Sequence, residues 1–188
     1  MRMALPLVLT GLVSLATPPT AAAQPSGADK YGFDWVKAAD CDNPFVIRAE
    51  VVIDAPIDVV WKLVRNPNGY ETFNKRISAH ADRVAVGEPI TLEIRLLGEN
   101  TAPTTSNEQI VIVDDELHVA SWDRDFGFGQ ITHRPQLLEA EGPNRTHYYT
   151  ALSLPKSFGW LVVATFGPHI QSAFADFAAG LKEAAEGH

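Results

Sequence analysis

Cysteine and basic residues are scarce in this chain of 188 residues. Cys41 is the only cysteine, so no disulfide can form within the chain and its stability must come from packing. Lysine and arginine total 15 against 23 aspartate and glutamate residues, which gives a net charge of −8. Nucleic-acid-binding proteins usually carry a basic surplus, because contacts to phosphates supply most of their affinity. The acidic balance therefore argues against a nucleic acid as partner.

The first 23 residues have the order of features that is typical of a secretory signal peptide. Arg2 precedes an apolar run over residues 4–16, which is followed by a proline-containing break and three alanines. The run is shorter than the roughly 20 residues that a helix needs to cross a bilayer, so cleavage is favoured over a membrane anchor. We predict a secreted or periplasmic protein with no stable membrane span after cleavage. An N-terminal arm would cover residues 24–44, and one domain would cover residues 45–188.

Two short helices are predicted after the first strand. Residues 45–53 are apolar and rich in β-branched side chains, which is typical of a strand. Asp54 is a candidate N-cap, and Pro56 suits the first turn of a helix over residues 57–64. Residues 70–74 are predicted to form the second short helix.

The rest of the chain is predicted to hold a strand meander and one long helix. Between residues 76 and 154, short apolar stretches alternate with turn residues, which predicts antiparallel strands. Pro135 predicts that its strand is edge-like or bulged, because proline has no N–H for the ladder. Over residues 158–181, large apolar residues recur every three or four positions and form one helical face. The pair at residues 167–168, Gly-Pro, predicts a kink or a division of that helix.

Several short motifs accompany these elements in a fixed order. They are Ile53-Asp54-Ala55-Pro56 with Val60-Trp61, the segment Tyr70 to Asn74, the turn Val86-Gly87-Glu88, Trp122, His133-Arg134, Phe158-Gly159, and Phe174 to Lys182. In this order they resemble the START-like, Bet v 1-like (SRPBCC) superfamily, and most closely its bacterial polyketide cyclase/dehydrase-type members. The resemblance implies an α+β helix-grip fold, in which a curved antiparallel β-sheet wraps around a long C-terminal α-helix and leaves a cavity between them.

The resemblance implies ligand binding more directly than catalysis, since a fold alone does not determine function. Members bind lipids, sterols, polyketides and other apolar molecules, and a minority catalyse cyclisation or dehydration. Secretion is atypical of the biosynthetic cyclases, so we expect an exported, non-enzymatic protein that binds a small hydrophobic molecule. A cyclase- or dehydratase-like enzyme is the alternative. A domain with a filled interior that binds an unknown protein partner is a third hypothesis.

The predicted strands and helices supply the candidate ligand contacts. Trp122 and His133 lie on consecutive predicted strands, and His133 shares its parity with Ile131 and Leu137. A histidine on the cavity side can orient a polar head group or act as an acid–base catalyst. The alternative is a hydrogen-bonded structural histidine. The full set of candidate ligand contacts is Trp61, Tyr70, Phe73, Trp122, His133, Phe166 and Ile170.

No metal site is predicted, because the six histidines lack ligand spacing, and no cofactor is expected. The absence of a Gly-x-Ser-x-Gly elbow argues against nucleophilic hydrolysis. Arg95, Arg124 and Arg134 are candidates to pair with a carboxylate on a ligand. Exposed strand positions are the alternative for all three. For Arg124, flanked by Asp123 and Asp125, a surface ion pair is a further alternative.

Overall fold

A computed structural model describes residues 26–37 and 44–187 of the chain. The predicted signal peptide and Cys41 lie outside the described residues. The helices are α1 (Gly27–Tyr31), α2 (Asp34–Lys37), α3 (Ile57–Val64), a 3₁₀ helix (Pro67–Thr72) and α4 (Lys156–Glu186). The strands are β1 (Val46–Ile53), β2 (Ile77–His80), β3 (Pro89–Ile94), β4 (Thr104–Asp114), β5 (Val119–Asp125), β6 (Ile131–Gly142) and β7 (Arg145–Ser153).

The seven strands form one antiparallel sheet in the order β1-β7-β6-β5-β4-β3-β2. Strands β2 to β7 pair with their neighbours in sequence, and β1 closes onto β7 with Val46 opposite Ser153 and Ile53 opposite Thr146. The sheet curls around α4, a helix of 31 residues. The predicted α+β helix-grip fold is therefore confirmed.

The concave face of the sheet packs against α4 and α3 to form the main core. On α4 the apolar spacing buries Ile170, Phe174, Phe177 and Leu181 on the side that faces the sheet. Helix α3 buries an apolar stripe, which includes Val60 and Val64. Burial of this apolar surface is the main favourable term that holds the helices to the sheet.

The convex face carries a second, smaller core that the N-terminal arm completes. Phe33 and Val36 pack against Val119, Leu137 and Ala151 of the sheet. The arm therefore docks through two short helices and the turn between them. Strands β5 to β7 are thus covered on both faces over part of their length, which accounts for their nearly continuous burial.

Three local predictions are corrected. The N-cap of α3 is Pro56 without any side-chain cap, and the backbone N–H of Asp54 instead donates to Glu186 at 2.7 Å. The second short helix is a 3₁₀ helix that begins at Pro67. Pro135 lies in β6, an interior strand rather than an edge. The ladder to β7 accommodates it, because residues 134 and 135 form no pair with β7. The pair His133–Ser153 is followed directly by the pair Gln136–Thr150.

Helix α4 continues through Pro168 as one helix, so the predicted division does not occur. It also approaches the chain after the 3₁₀ helix very closely. A Cβ atom at Gly180 would lie 2.1 Å from the backbone oxygen of Phe73, far inside van der Waals contact. Only glycine allows this approach, which fixes the second half of α4 against the chain that follows the 3₁₀ helix.

The two edges of the sheet differ in how they end. At the β1 edge, α4 covers the outward-facing carbonyls: Gln171 Nε2 donates to the Arg48 oxygen, and Lys182 Nζ donates to the Val52 oxygen at 2.8 Å. At the other edge, β2 spans only four residues. Side chains of α4 thus engage two carbonyls of the β1 edge, and the strand at the opposite edge is short.

Candidate functional site

A cavity of about 360 Å³ lies between the concave face of the sheet and the first half of α4. This volume falls within the range of small-molecule sites, roughly 300–1,000 Å³. The lining residues are Ile94, Leu96, Thr104, Ser106, Glu108, Arg124, Phe126, Thr132, Arg134, Leu152, Leu154, Phe158, Val162, Ile170, Ala173 and Phe174. Most are apolar, and the polar ones come from β4, β5 and β6.

Strand alternation explains why the polar groups face inward. Successive side chains of a strand point to opposite faces, so one parity of each strand lines the concave side. On β5 this places Arg124 on the same face as Trp122, and Trp122 lies opposite Arg134 of β6. On β4 the same face carries Ser106 and Glu108.

A buried ion pair forms the centre of this polar group. Arg134 Nη2 and Nε donate to the two carboxylate oxygens of Glu108 at 3.1 and 3.3 Å, and Ser106 Oγ donates to Glu108 at 2.8 Å. The Glu108 side chain is 1% exposed and that of Arg134 is 10% exposed. The Arg134 guanidinium also lies 5.5 Å from the ring centre of Phe174. Two-point pairing of this kind compensates charges that would otherwise be costly to bury.

Arg124 is placed beside this pair without a carboxylate of its own. Its Nη1 donates to Ser106 Oγ at 3.3 Å, and its guanidinium lies 4.5 Å from the ring centre of Phe126. None of the carboxylates in the described part of the chain lies within 4.0 Å of its nitrogens. Asp123 is on the opposite face of β5, where it pairs with His133, so the expected surface ion pair is absent.

A small inner pocket of about 20 Å³ lies among aromatic and polar side chains of the core. Burial raises the pKa of Tyr148 and of Tyr70, so both remain neutral hydroxyls. Tyr148 donates to Gln136 Oε1, and Tyr70 donates to the Val64 oxygen at 2.7 Å. The indole N–H of Trp122 is buried and has no acceptor among the described residues.

Three of the candidate ligand contacts line these spaces. Ile170 lines the cavity, and Tyr70 and Trp122 line the inner pocket. Contact of these residues with a ligand stays a prediction, now with a defined place in the fold.

Three other candidates lie elsewhere. Trp61 is a buried residue of α3, and its Nε1 donates to Asp115 at 3.0 Å. Phe73 packs against Tyr70 and Phe177 with ring centres 5.7 and 5.3 Å away. Phe166 is 42% exposed on α4 and does not line the cavity.

His133 lies on the outer face of the sheet, which corrects its expected place in the cavity. It shares that face with Leu137, which packs under the N-terminal arm. Its Nδ1 lies 2.9 Å from Asp123 Oδ2, and this hydrogen bond raises the pKa of His133 above its usual value. The structural alternative, a histidine fixed by a hydrogen bond, matches the geometry.

Sequence reasoning missed Glu108 and Ser106, and it left Arg134 undecided. A signal was present, because Arg134 and His133 are adjacent and must face opposite sides of β6. The choice of side needs a residue of known orientation. Trp122 supplies it, since it pairs with Arg134 in the ladder, but the pairing is known only from the structure.

A larger groove of about 620 Å³ runs along the surface between β1 and the second half of α4. Charged residues form much of its lining: Lys37, Arg48, Glu50, Lys182, Glu183 and Glu186. The hydrogen bonds from Gln171 and Lys182 to β1 occupy the same interface. A larger share of its lining is polar than in the cavity, so the cavity inside the grip is the better candidate for an apolar ligand.

Residues 26–37 and 44–187 contain neither a candidate metal site nor a helix that could span a membrane. No group of three or more His, Cys, Asp or Glu side chains there is arranged to hold a metal ion. In the same part of the chain, no helix combines the length and the hydropathy needed to cross a bilayer.

Comparison with solved structures finds the same fold at low sequence identity. A protein from Thermus thermophilus, TTHA0849, is 19% identical with a TM-score of 0.59, over 74% of this chain and 96% of its own. The ZhuI aromatase/cyclase from Streptomyces sp. R1128 is 16% identical with a TM-score of 0.56, over 74% and 92%. A START superfamily protein from Mycobacterium smegmatis is 13% identical with a TM-score of 0.53, over 76% and 94%.

The sequence itself matches a family model over residues 44–186, which is nearly the whole of the described domain. No curated protein matches the chain at a significant level. The match and the shared helix-grip fold agree with the motifs found along the sequence. The chain therefore belongs to the polyketide cyclase/dehydrase and lipid transport family.

Proposed function

We propose that this protein is an exported binding protein that holds a small hydrophobic molecule between the sheet and α4. The observation that carries the proposal is the cavity of about 360 Å³ with a mostly apolar lining. Burial of apolar ligand surface contributes about 25 cal/mol per Å², so such a lining supplies affinity without catalysis. A few polar groups on one wall then set the orientation of the ligand.

The charged groups of the cavity are engaged in ways that suit binding. The carboxylate of Glu108 accepts hydrogen bonds from Arg134 and Ser106. A carboxylate held in this way is a poor general base, since a proton acceptor has to reach the substrate. Among the described lining residues there is no histidine or cysteine. The cavity therefore offers no such residue for the acid–base role that the sequence suggested for His133.

The test is native mass spectrometry of the protein purified gently from its own export compartment. We expect a bound mass that leaves on denaturation. A matched pair of variants makes the test specific: Val162→Trp fills the cavity, whereas Leu161→Trp places the same side chain at an exposed neighbouring position of α4. Loss of the bound mass in the first variant alone supports the proposal. An equal load in both variants would contradict it.

Export is tested on the same sample. If the signal peptide is cleaved as predicted, the intact mass corresponds to a chain that begins at Gln24. A mass that retains residues 1–23 in the export compartment would favour a membrane anchor, and recovery in the cytoplasm alone would remove export from the proposal.

A cyclase- or dehydratase-like enzyme is the second candidate, favoured by the aromatase/cyclase among the similar structures. The ligand recovered from the protein separates the two. On our proposal it returns unchanged after incubation with fresh protein. Recovery of a product that has lost one water molecule would show a dehydratase.

A further inference from the structure

The cavity contains one more positive charge than negative charge. Arg124 and Arg134 both line it, whereas Glu108 is the only carboxylate among the described residues that line it. Glu108 is committed to Arg134 through two hydrogen bonds. The guanidinium of Arg124 is therefore the group whose charge the described residues leave uncompensated.

The surroundings of Arg124 hold it in a defined orientation. Ser106 Oγ accepts one of its N–H groups and donates its own hydrogen to Glu108. The ring of Phe126 lies against the guanidinium at 4.5 Å, a cation–π distance. An arginine has five N–H donors in a planar fork, so one bond to serine leaves most of them free for a partner.

The rest of the lining indicates that the remainder of the ligand is apolar. Leu152, Leu154, Phe158, Val162 and Ile170 give the cavity a hydrocarbon wall next to Arg124. In such surroundings a charge interacts more strongly than in water, and the fork geometry of arginine matches the two oxygens of a carboxylate. A neutral oxygen would use the donors but leave the charge uncompensated.

From these observations we propose that the ligand is an apolar carboxylic acid whose carboxylate pairs with Arg124. The inference rests on the proposed function and narrows it from a hydrophobic molecule to an amphiphile with an anionic end. The apolar body lies against the wall formed by α4 and β7, and the carboxylate lies at the end of β5.

The test compares decanoate with decanol at pH 7.5, which differ at the head group only. Affinities are measured by displacement of Nile red and by calorimetry. For the wild type we expect decanoate to bind about tenfold to a hundredfold more tightly, the range of a charge-assisted pair. In Arg124→Met the two probes bind equally, and the affinity for decanol stays within about twofold. Arg124→Lys keeps the charge without the fork and restores part of the preference.

Arg95→Met is the matched control, because it also removes one arginine, directly after the end of β3, and Arg95 does not line the cavity. It keeps the full preference for decanoate. Equal binding of both probes to the wild type would overturn the inference and leave the proposed function standing. A preference that survives in Arg124→Met, with an unchanged melting temperature, would also overturn it. If neither probe nor Nile red binds the wild type, the proposed function fails together with the inference.

Discussion

The buried pair Glu108–Arg134 allows a quantitative test of the cavity wall. Among the described residues, Glu108 is the only carboxylate within bonding distance of Arg134, so Glu108→Leu leaves the guanidinium buried and unpaired, with 10% of its side chain exposed. Breaking a buried ion pair from one side costs about 3–5 kcal/mol, because the remaining charge has neither water nor partner. That is a large part of the total stability of a domain, about 5–15 kcal/mol.

The double variant Glu108→Leu/Arg134→Met separates this charge effect from a packing effect. With both charges gone, apolar side chains of similar size fill the site, and we expect stability within about 1 kcal/mol of the wild type or above it. The second substitution therefore restores what the first removes. If the loss came from packing alone, the two costs would add.

Urea unfolding followed by circular dichroism measures both effects as changes in midpoint at constant slope. Glu93→Leu is the control, because Glu93 is an exposed carboxylate on β3; its expected change is within about 0.5 kcal/mol. A loss below about 1 kcal/mol for Glu108→Leu would refute the reasoning. So would a double variant that is less stable than the single one.

Two further predictions concern the helix contact and the outer histidine. Gly180→Ala forces a Cβ to within 2.1 Å of the Phe73 oxygen. The cost of overpacking, about 3 kcal/mol, outweighs a helix-propensity gain of about 1 kcal/mol, so thermal unfolding should show a net loss of stability near 2 kcal/mol. Ala179→Gly, at the exposed neighbouring position, measures the propensity effect alone, and a stabilised Gly180→Ala variant would disprove the clash. The hydrogen bond to Asp123 raises the pKa of His133 in the folded state, so its contribution to stability is complete below the unfolded pKa of about 6.5 and is lost as pH rises through the folded pKa. Asp123→Asn should lower the pKa of His133 in an NMR titration and leave the affinity for Nile red unchanged. An altered affinity would show that His133 contributes to ligand binding.

Much of the fold could be predicted from local patterns. The apolar, β-branched run of β1, the apolar stripe of α3 and the spacing along α4 each indicate the type of element that the structure shows. The stripe of α4 also shows where such reasoning fails. Each step of four residues rotates the position by about 40° around a helix of 3.6 residues per turn. A series of such steps does not stay on one face, and Phe166 is exposed.

The side of β6 that faces the cavity could not be predicted, because both of its faces are buried. Leu138 belongs to the core on the concave face and Leu137 packs under the N-terminal arm, so apolar residues occupy both parities. The arm covers this region through contacts between Val36 and residues about a hundred positions later in the chain. Parity alone therefore assigned His133 to the cavity, and only the three-dimensional pairing places Arg134 there.

The treatment of the sheet edges has a consequence for the protein at high concentration. An open row of unpaired carbonyl and N–H groups is a template for edge-to-edge association, the first step of aggregation. Here side chains of α4 bond to the carbonyls of Arg48 and Val52, and the opposite edge offers only the short strand β2. We therefore expect the domain to stay dispersed when it is crowded, and the helix that closes the cavity also protects the sheet from strand addition.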